Sequence, residues 1–306
     1  YVYKRQVIDG MLILLLWPIE KKAAKPNSCI DFHKKILDFY KKFFSYILLQ
    51  TLEHAHLFRP FVNKTSRSKR MSGFSLPRFF RYLIRLCDAD ATEQHVTCIV
   101  NHQVDWVQSL PFFIMHLMCL GVFWVGWSGV AISVAIGLYL IRMFAITGFY
   151  HRYFSHRAFQ TSRGCQFVFA LLGATAVQRG PLWWAAHHRT HHRYSDKEND
   201  LHSPHQRGFW WSQIGWLTSR KNFSTKHDVV GDFSRFPELQ FLNRWDTLVP
   251  FLFAVTIFGL GELLEVYAPE LSTNGMQMLI WGFFVSTVVL LHATSTINSL
   301  FQSSFW

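Results

Sequence analysis

Eight of the sixteen histidines crowd into one stretch: His151 and His156 in HRYFSH, His187, His188, His191 and His192 in HHRTHH, and His202 and His205 in DLHSPH. A single imidazole beside Arg, Tyr and Trp is ordinarily solvated or hydrogen-bonded, but a cluster of this density points to metal. His188, His191 and His192 stand at i, i+3 and i+4, a spacing that stacks three imidazoles along one side of a helix. His151 and His156 add a second pair just past a long apolar run. Imidazole suits zinc, copper, iron and nickel alike, so donor type does not choose the metal. The five cysteines (Cys29, Cys87, Cys98, Cys119, Cys165) form no CxxC pair and no disulfide framework. More nitrogen donors than a closed tetrahedral zinc site uses argue for two metals or an open catalytic centre.

These donors need a scaffold, and the rest of the chain describes one built for a membrane. With 306 residues, 50% hydrophobic and 17% aromatic, the composition is that of a membrane protein. The formal charge of +12 accompanies no nucleic-acid motif. The basic residues gather around apolar runs, so lipid headgroups rather than nucleic acid are the expected partner. Four segments, 110–125 with its flanks, 130–150, 248–264 and 276–291, are apolar and close to the length that crosses a bilayer. The GWSG turn at 126–129 joins the first two as an antiparallel hairpin. His116 interrupts the first and is expected to be a core or interfacial histidine. Arg142, about two turns before His151, is expected to snorkel to the surface.

Residues 167–177 span only half a membrane and predict a partly immersed or re-entrant helix, which keeps both histidine groups on one face. Residues 193–247 read as a surface domain containing an aromatic-rich helix at 209–217. The turns at 126–129 and 267–275 hold no Lys or Arg, which by the positive-inside rule places both termini and the histidines in the cytosol. The prediction is an all-α integral membrane fold: four transmembrane helices in two hairpins under a cytosolic helical cap that carries the histidines. Residues 1–70 form a separate basic region. In it, 12–17 is too short to span, 31–58 reads as an amphipathic interface helix or a partner-binding helix, and 64–70 (KTSRSKR) as a basic linker.

HRYFSH at 151–156 and HRTHH at 188–192 resemble the HxxxxH and HxxHH boxes of the membrane fatty acyl desaturases. DLHSPHQRGFWWSQIGW at 200–216 is similar to the segment that follows the second box in the acyl-CoA and acyl-lipid Δ9 branch, particularly its bacterial members. The resemblance covers roughly residues 71–300 and marks 71–306 as a desaturase domain. It implies an enzyme that uses two iron ions, with O₂ as co-substrate, to place a cis double bond in a saturated acyl chain. The substrate would be a fatty acyl-CoA or acyl-lipid, in a bacterial inner membrane or the endoplasmic reticulum. The chain has no cytochrome b5-like or ferredoxin-like segment, so electrons would come from an external donor of that kind with its reductase.

Position by position, the resemblance makes His151, His156, His188, His191 and His192 iron ligands. It links Asn298, in HATSTINSL, to iron through water, and places Trp184 and Gln178 on the substrate tunnel. His187, His202, His205 and His292 are expected to be hydrogen-bonded or on the surface. The chain departs from the family pattern after Asn298: Gln302 stands where a ligand histidine is expected, and no HNxHH box precedes Trp306. An amide oxygen is a weak iron ligand. The expectation is therefore a desaturase domain truncated before its third box, with impaired or absent activity as written. Two other classes fit the histidines: a membrane di-iron hydroxylase or oxygenase, and a non-catalytic metal- or haem-binding membrane protein. Haem would need paired histidines facing each other inside the spans.

Overall fold

The computed structural model describes residues 88–89 and 104–301. The readings at 1–70 and at Gln302 lie outside them. Among the described residues the chain is helical, with no strand and one isolated bridge between Val104 and Ser219. In chain order the principal helices are α1 (Trp106–Val125), α2 (Gly129–Ser155), α3 (Arg163–Ala174), α4 (Pro181–Tyr194), α5 (Pro237–Arg244), α6 (Leu248–Tyr267) and α7 (Gly275–Leu300). Four of these, α1, α2, α6 and α7, are apolar and long enough to cross a membrane, at 20, 27, 20 and 26 residues. At 1.5 Å per residue even the shorter ones reach about 30 Å.

The helix ends follow local chemistry. Asp105 caps α1 by accepting from Gln108 N (3.2 Å), Ser128 caps α2 by accepting from Ala131 N (3.0 Å), and Asn274 caps α7 by accepting from Gln277 N (2.9 Å). Gly126 takes the left-handed conformation that the α1–α2 turn requires, at φ +67°. The two hairpin turns meet: the Ser128 and Thr273 hydroxyls are 2.5 Å apart, and Trp281 Nε1 donates to Gly126 O at 2.8 Å. That end of the bundle is opposite the histidines. Outer faces of α1 and α6 expose large apolar side chains, among them Leu117, Phe123, Trp124, Phe251, Leu252 and Val266. Such a belt is expected against lipid, where helix contacts depend on packing and hydrogen bonds rather than on exclusion of water.

Arg142 does not snorkel. It is 1% exposed and turns inward. Its Nη1 donates to Thr287 Oγ1 (2.6 Å) and Thr175 O (3.3 Å), its Nε to Leu138 O (3.1 Å), and its Nη2 to the Ser286 hydroxyl. The fork-shaped guanidinium finds these acceptors on α2, on α7 and just beyond α3, so internal hydrogen bonds replace the route to the headgroups.

The cap packs on the end of α2. Tyr150, Tyr153 and Phe154 are buried against Ala170 of α3, Ala185 and Ala186 of α4 and Leu239 and Leu242 of α5, and the alanines let the helices approach closely. At the start of α4 a Cβ on Gly180 would lie 2.5 Å from Asn243 Cα. That approach lets Asn243 Oδ1 accept from Trp183 N (2.8 Å), supplying from α5 the cap that Gly180 cannot. The half-length segment is a 12-residue helix, α3, and 209–217 is helical with Trp216 buried.

Candidate metal centre

The HxxxxH spacing is unsuited to an ordinary α-helix. At 3.6 residues per turn, two side chains five apart point about 140° away from each other. The chain resolves this by widening: Ala145–Ser155 winds as a π-helix, and His156 N donates to His151 O at 3.1 Å, an i to i+5 bond. Five residues then make little more than one turn, and His151 and His156 come to the same side with ring centroids 4.5 Å apart.

On α4, His188 and His192 are one turn apart and their rings lie 4.5 Å from each other. The two pairs converge. His156 Nε2 is 3.1 Å from both His151 Nε2 and His188 Nε2, and His192 Nε2 is 2.9 Å from His188 Nε2. Hydrogen bonding cannot account for all three contacts, because His156 and His188 would each have to serve two partners through one Nε2, which carries either one N–H or one lone pair. The spacing is what a shared ion would give: donors at about 2.1 Å from a metal and at right angles to each other lie about 3.0 Å apart.

The protonation state agrees. Burial, reinforced by neighbouring imidazoles, pushes His188 well below the usual histidine range and His192 down to about 4. Burial and then the Arg189 charge lower His156. Neutral rings are the form that binds metal. The residues present therefore fit a metal ion.

His191 turns aside, since the next residue on a helix is rotated about 100°. It is buried, and its Nδ1 lies 2.8 and 3.0 Å from the two Asp200 oxygens. Burial alone would push the Asp200 carboxyl up, but the hydrogen bond from His191, with that from the Asp196 N–H, holds it below its usual value. A carboxylate that accepts Nδ1–H fixes the tautomer whose Nε2 is free to bind metal. The His202 ring packs 4.2 Å from His191, and His191, Asp200 and His202 form a second group of buried donors.

His187 Nδ1 is 2.9 Å from Trp183 O, and His205 is exposed. His116 and His292 face each other from α1 and α7, Nε2 to Nε2 at 3.0 Å. That is one pair inside the spans, which the sequence did not foretell. It is a hydrogen-bonded bridge, with His116 Nδ1 on Phe112 O at 2.7 Å.

Trp184 and Gln178 are brought together beside the centre. The Trp184 ring stacks on His188 at 4.9 Å, its Nε1 donates to Gln178 Oε1 (3.4 Å), and Gln178 Nε2 donates to Thr294 Oγ1 of α7 (3.0 Å). Asn298 lies half-buried in the last turn of α7, next to Ser299, whose hydroxyl bonds Gln213 Oε1 at 2.5 Å. Two residues beside the centre carry little signal in the sequence: Asp200, within the DLHSPH segment, and Arg189, inside the HRTHH motif.

Comparison with known proteins agrees with this architecture. Residues 125–303 match the family described as fatty acid desaturase. The sn-1 stearoyl-lipid 9-desaturase of Anabaena variabilis is 35% identical over 203 residues, 64% of this chain and 68% of that protein. The chloroplastic palmitoyl-monogalactosyldiacylglycerol delta-7 desaturase of Arabidopsis thaliana is 33% identical over 190 residues, 60% of this chain and 47% of its own length. An acyl-CoA 5-desaturase of Anemone leveillei is 31% identical over 191 residues, 61% of this chain and 54% of that one. The family match runs through both histidine motifs and through the helices α2 and α4 that hold them, and the chain is a membrane protein of the fatty acid desaturase family.

Proposed function

We propose that the protein is an oxygen-dependent fatty acyl desaturase of the Δ9 type, working at a histidine-held iron centre. The observation that carries this reading is the convergence of four Nε2 atoms from α2 and α4, capped by the Trp184 ring. Two irons would supply the oxidant, drawn from O₂ and two external electrons, that an unactivated C–H bond demands. The chain's own residues do the rest. His151, His156, His188 and His192 hold one ion, and His191, oriented by Asp200, offers its Nε2 toward a second, with Asn298 contributing through water. Trp184 and Gln178 form the wall against which an acyl chain is set, since which carbon reacts depends on near-attack geometry. The relatives are named for lipid-linked and CoA-linked acyl substrates, and an acyl-lipid or acyl-CoA is proposed for this chain as well. Electrons would come from a cytochrome b5-like or ferredoxin-like donor.

Among the described residues every Lys and Arg except Arg142 lies on the histidine side of the spans or at their histidine-side ends. By the positive-inside rule that face is cytosolic.

The test is a chimera. Residues 129–300 replace the corresponding part of the Anabaena variabilis relative, expressed with a reductase system in cells lacking their own desaturase, and lipids are analysed by mass spectrometry. New cis-monoenes support desaturation, and their double-bond position reports the regiochemistry. Hydroxylated chains instead would favour a hydroxylase, and neither product from an iron-loaded chimera would contradict acyl oxidation.

A further inference from the structure

Arg189 lies inside the second histidine motif, next to His188, and its guanidinium uses all five of its N–H groups. Nε donates to Ser155 O at 3.0 Å and Nη2 to Phe154 O at 2.6 Å. Those carbonyls end α2, where no later N–H of the helix can reach them. Nη1 donates to Val229 O at 3.0 Å. The remaining two N–H groups grip Asp232 in a two-pronged pair, at 2.8 and 3.0 Å, and Asp232 also takes Arg157 Nε at 2.7 Å. Arg189 thus caps α2 from α4, where a cation also meets the negative end of the helix dipole. His151 and His156 flank the two capped carbonyls, and His188 precedes Arg189. One side chain therefore ties the backbone of the first histidine pair to the backbone of the second.

We propose that Arg189, held in place by Asp232, is a positioning residue for the metal centre. It sets the separation of His151 and His156 from His188 and His192, and with it the affinity and coordination of the bound ion. The inference rests on the four-histidine centre proposed above. Its physical core is the π-helical end of α2. With its last carbonyls uncapped, that turn can rewind toward an ordinary α-helix, in which His151 and His156 point about 140° apart. Lysine cannot substitute, because a single ammonium has no planar fork to reach two carbonyls and a carboxylate together.

The test uses the full chain in lipid nanodiscs, titrated anaerobically with Fe(II) and, separately, with Co(II), whose visible bands report coordination. Wild type is compared with Arg189→Lys, Asp232→Asn, the double variant and Arg163→Lys. Arg163 makes a similar two-bond pair with Glu238, at 2.6 and 2.7 Å, on the exposed start of α3. Arg189→Lys should weaken Fe(II) binding about tenfold or more, the range for groups that orient metal ligands, and should alter the Co(II) bands. Asp232→Asn should shift both in the same direction by less, and the double variant should bind no worse than Arg189→Lys. Arg163→Lys should match wild type.

A folded Arg189→Lys protein with wild-type affinity and bands overturns the proposal, as does equal weakening by Arg163→Lys. If Arg189→Lys does not fold, Asp232→Asn decides, and unchanged affinity there overturns it. A wild-type chain that binds no metal defeats the centre itself and the proposal with it. Metal held equally by wild type and Arg189→Lys defeats the proposal alone.

Discussion

His188 stands where the two histidine motifs meet, its Nε2 within 3.1 Å of His156 Nε2 and 2.9 Å of His192 Nε2, with Trp184 over its face. Burial is the main reason such rings stay neutral, and it pushes His187 down to about 3 and His192 to about 4. In the unfolded chain each would protonate near about 6.5. The folded values are depressed, so below that pH the unfolded state binds more protons and stability falls as pH falls. The metal-free protein should keep a constant Tm down to about pH 7 and lose stability steadily from about 6.5 toward 4. A melting temperature flat across that window would contradict neutral, buried imidazoles. Bound metal, competing with protons, should move the onset to lower pH. The meeting of His188 and His192 was legible because i, i+4 spacing puts both rings on one side of a helix. Asp200 and Arg189 were harder to find, because their roles depend on partners 9 and 43 residues away in sequence.

Helices were legible where apolar length alone decides, and α1, α2, α6 and α7 lie where the hydrophobic runs put them. The π winding at the end of α2 was written in the five-residue histidine spacing, but only as an awkwardness that a plain α-helix would create. Arg142 shows the opposite limit: position in a span predicts snorkelling, and acceptors distant in sequence, the hydroxyls of Ser286 and Thr287 and the carbonyl of Thr175, explain why it turns inward. Packing of α3 on α2 makes a sharp test. A Cβ on Gly173 would fall 2.0 Å from Tyr150 Cε1, and Tyr150 is fully buried, whereas a Cβ on Gly164 in the same helix meets nothing within 4 Å. Gly173→Ala should destabilise the protein by about 1–3 kcal/mol or more, and Gly164→Ala should stay within about 0.5 kcal/mol. Equal thermal stabilities of the two variants in detergent would contradict this helix contact.

At the scale of the whole molecule, the bundle separates two hairpin turns free of Lys and Arg from a basic cap that holds the histidines. In a background with the five native cysteines replaced, Trp127→Cys and Ser272→Cys should react with an impermeant thiol reagent only from the non-cytosolic side, and Lys197→Cys only from the cytosolic side. Labelling of position 127 or 272 from the cytosol would overturn the orientation. The proposed centre requires that the fold bring α2 and α4 together to hold iron between four histidines. Its most direct test is the iron content of the purified chain and of His151→Ala, His156→Ala, His188→Ala, His192→Ala and His227→Ala, each checked for intact helicity. Iron should be present in the wild type, fall sharply in each of the first four variants and stay at the wild-type level in His227→Ala. Iron retained by the four variants, or lost equally from all five, would contradict it.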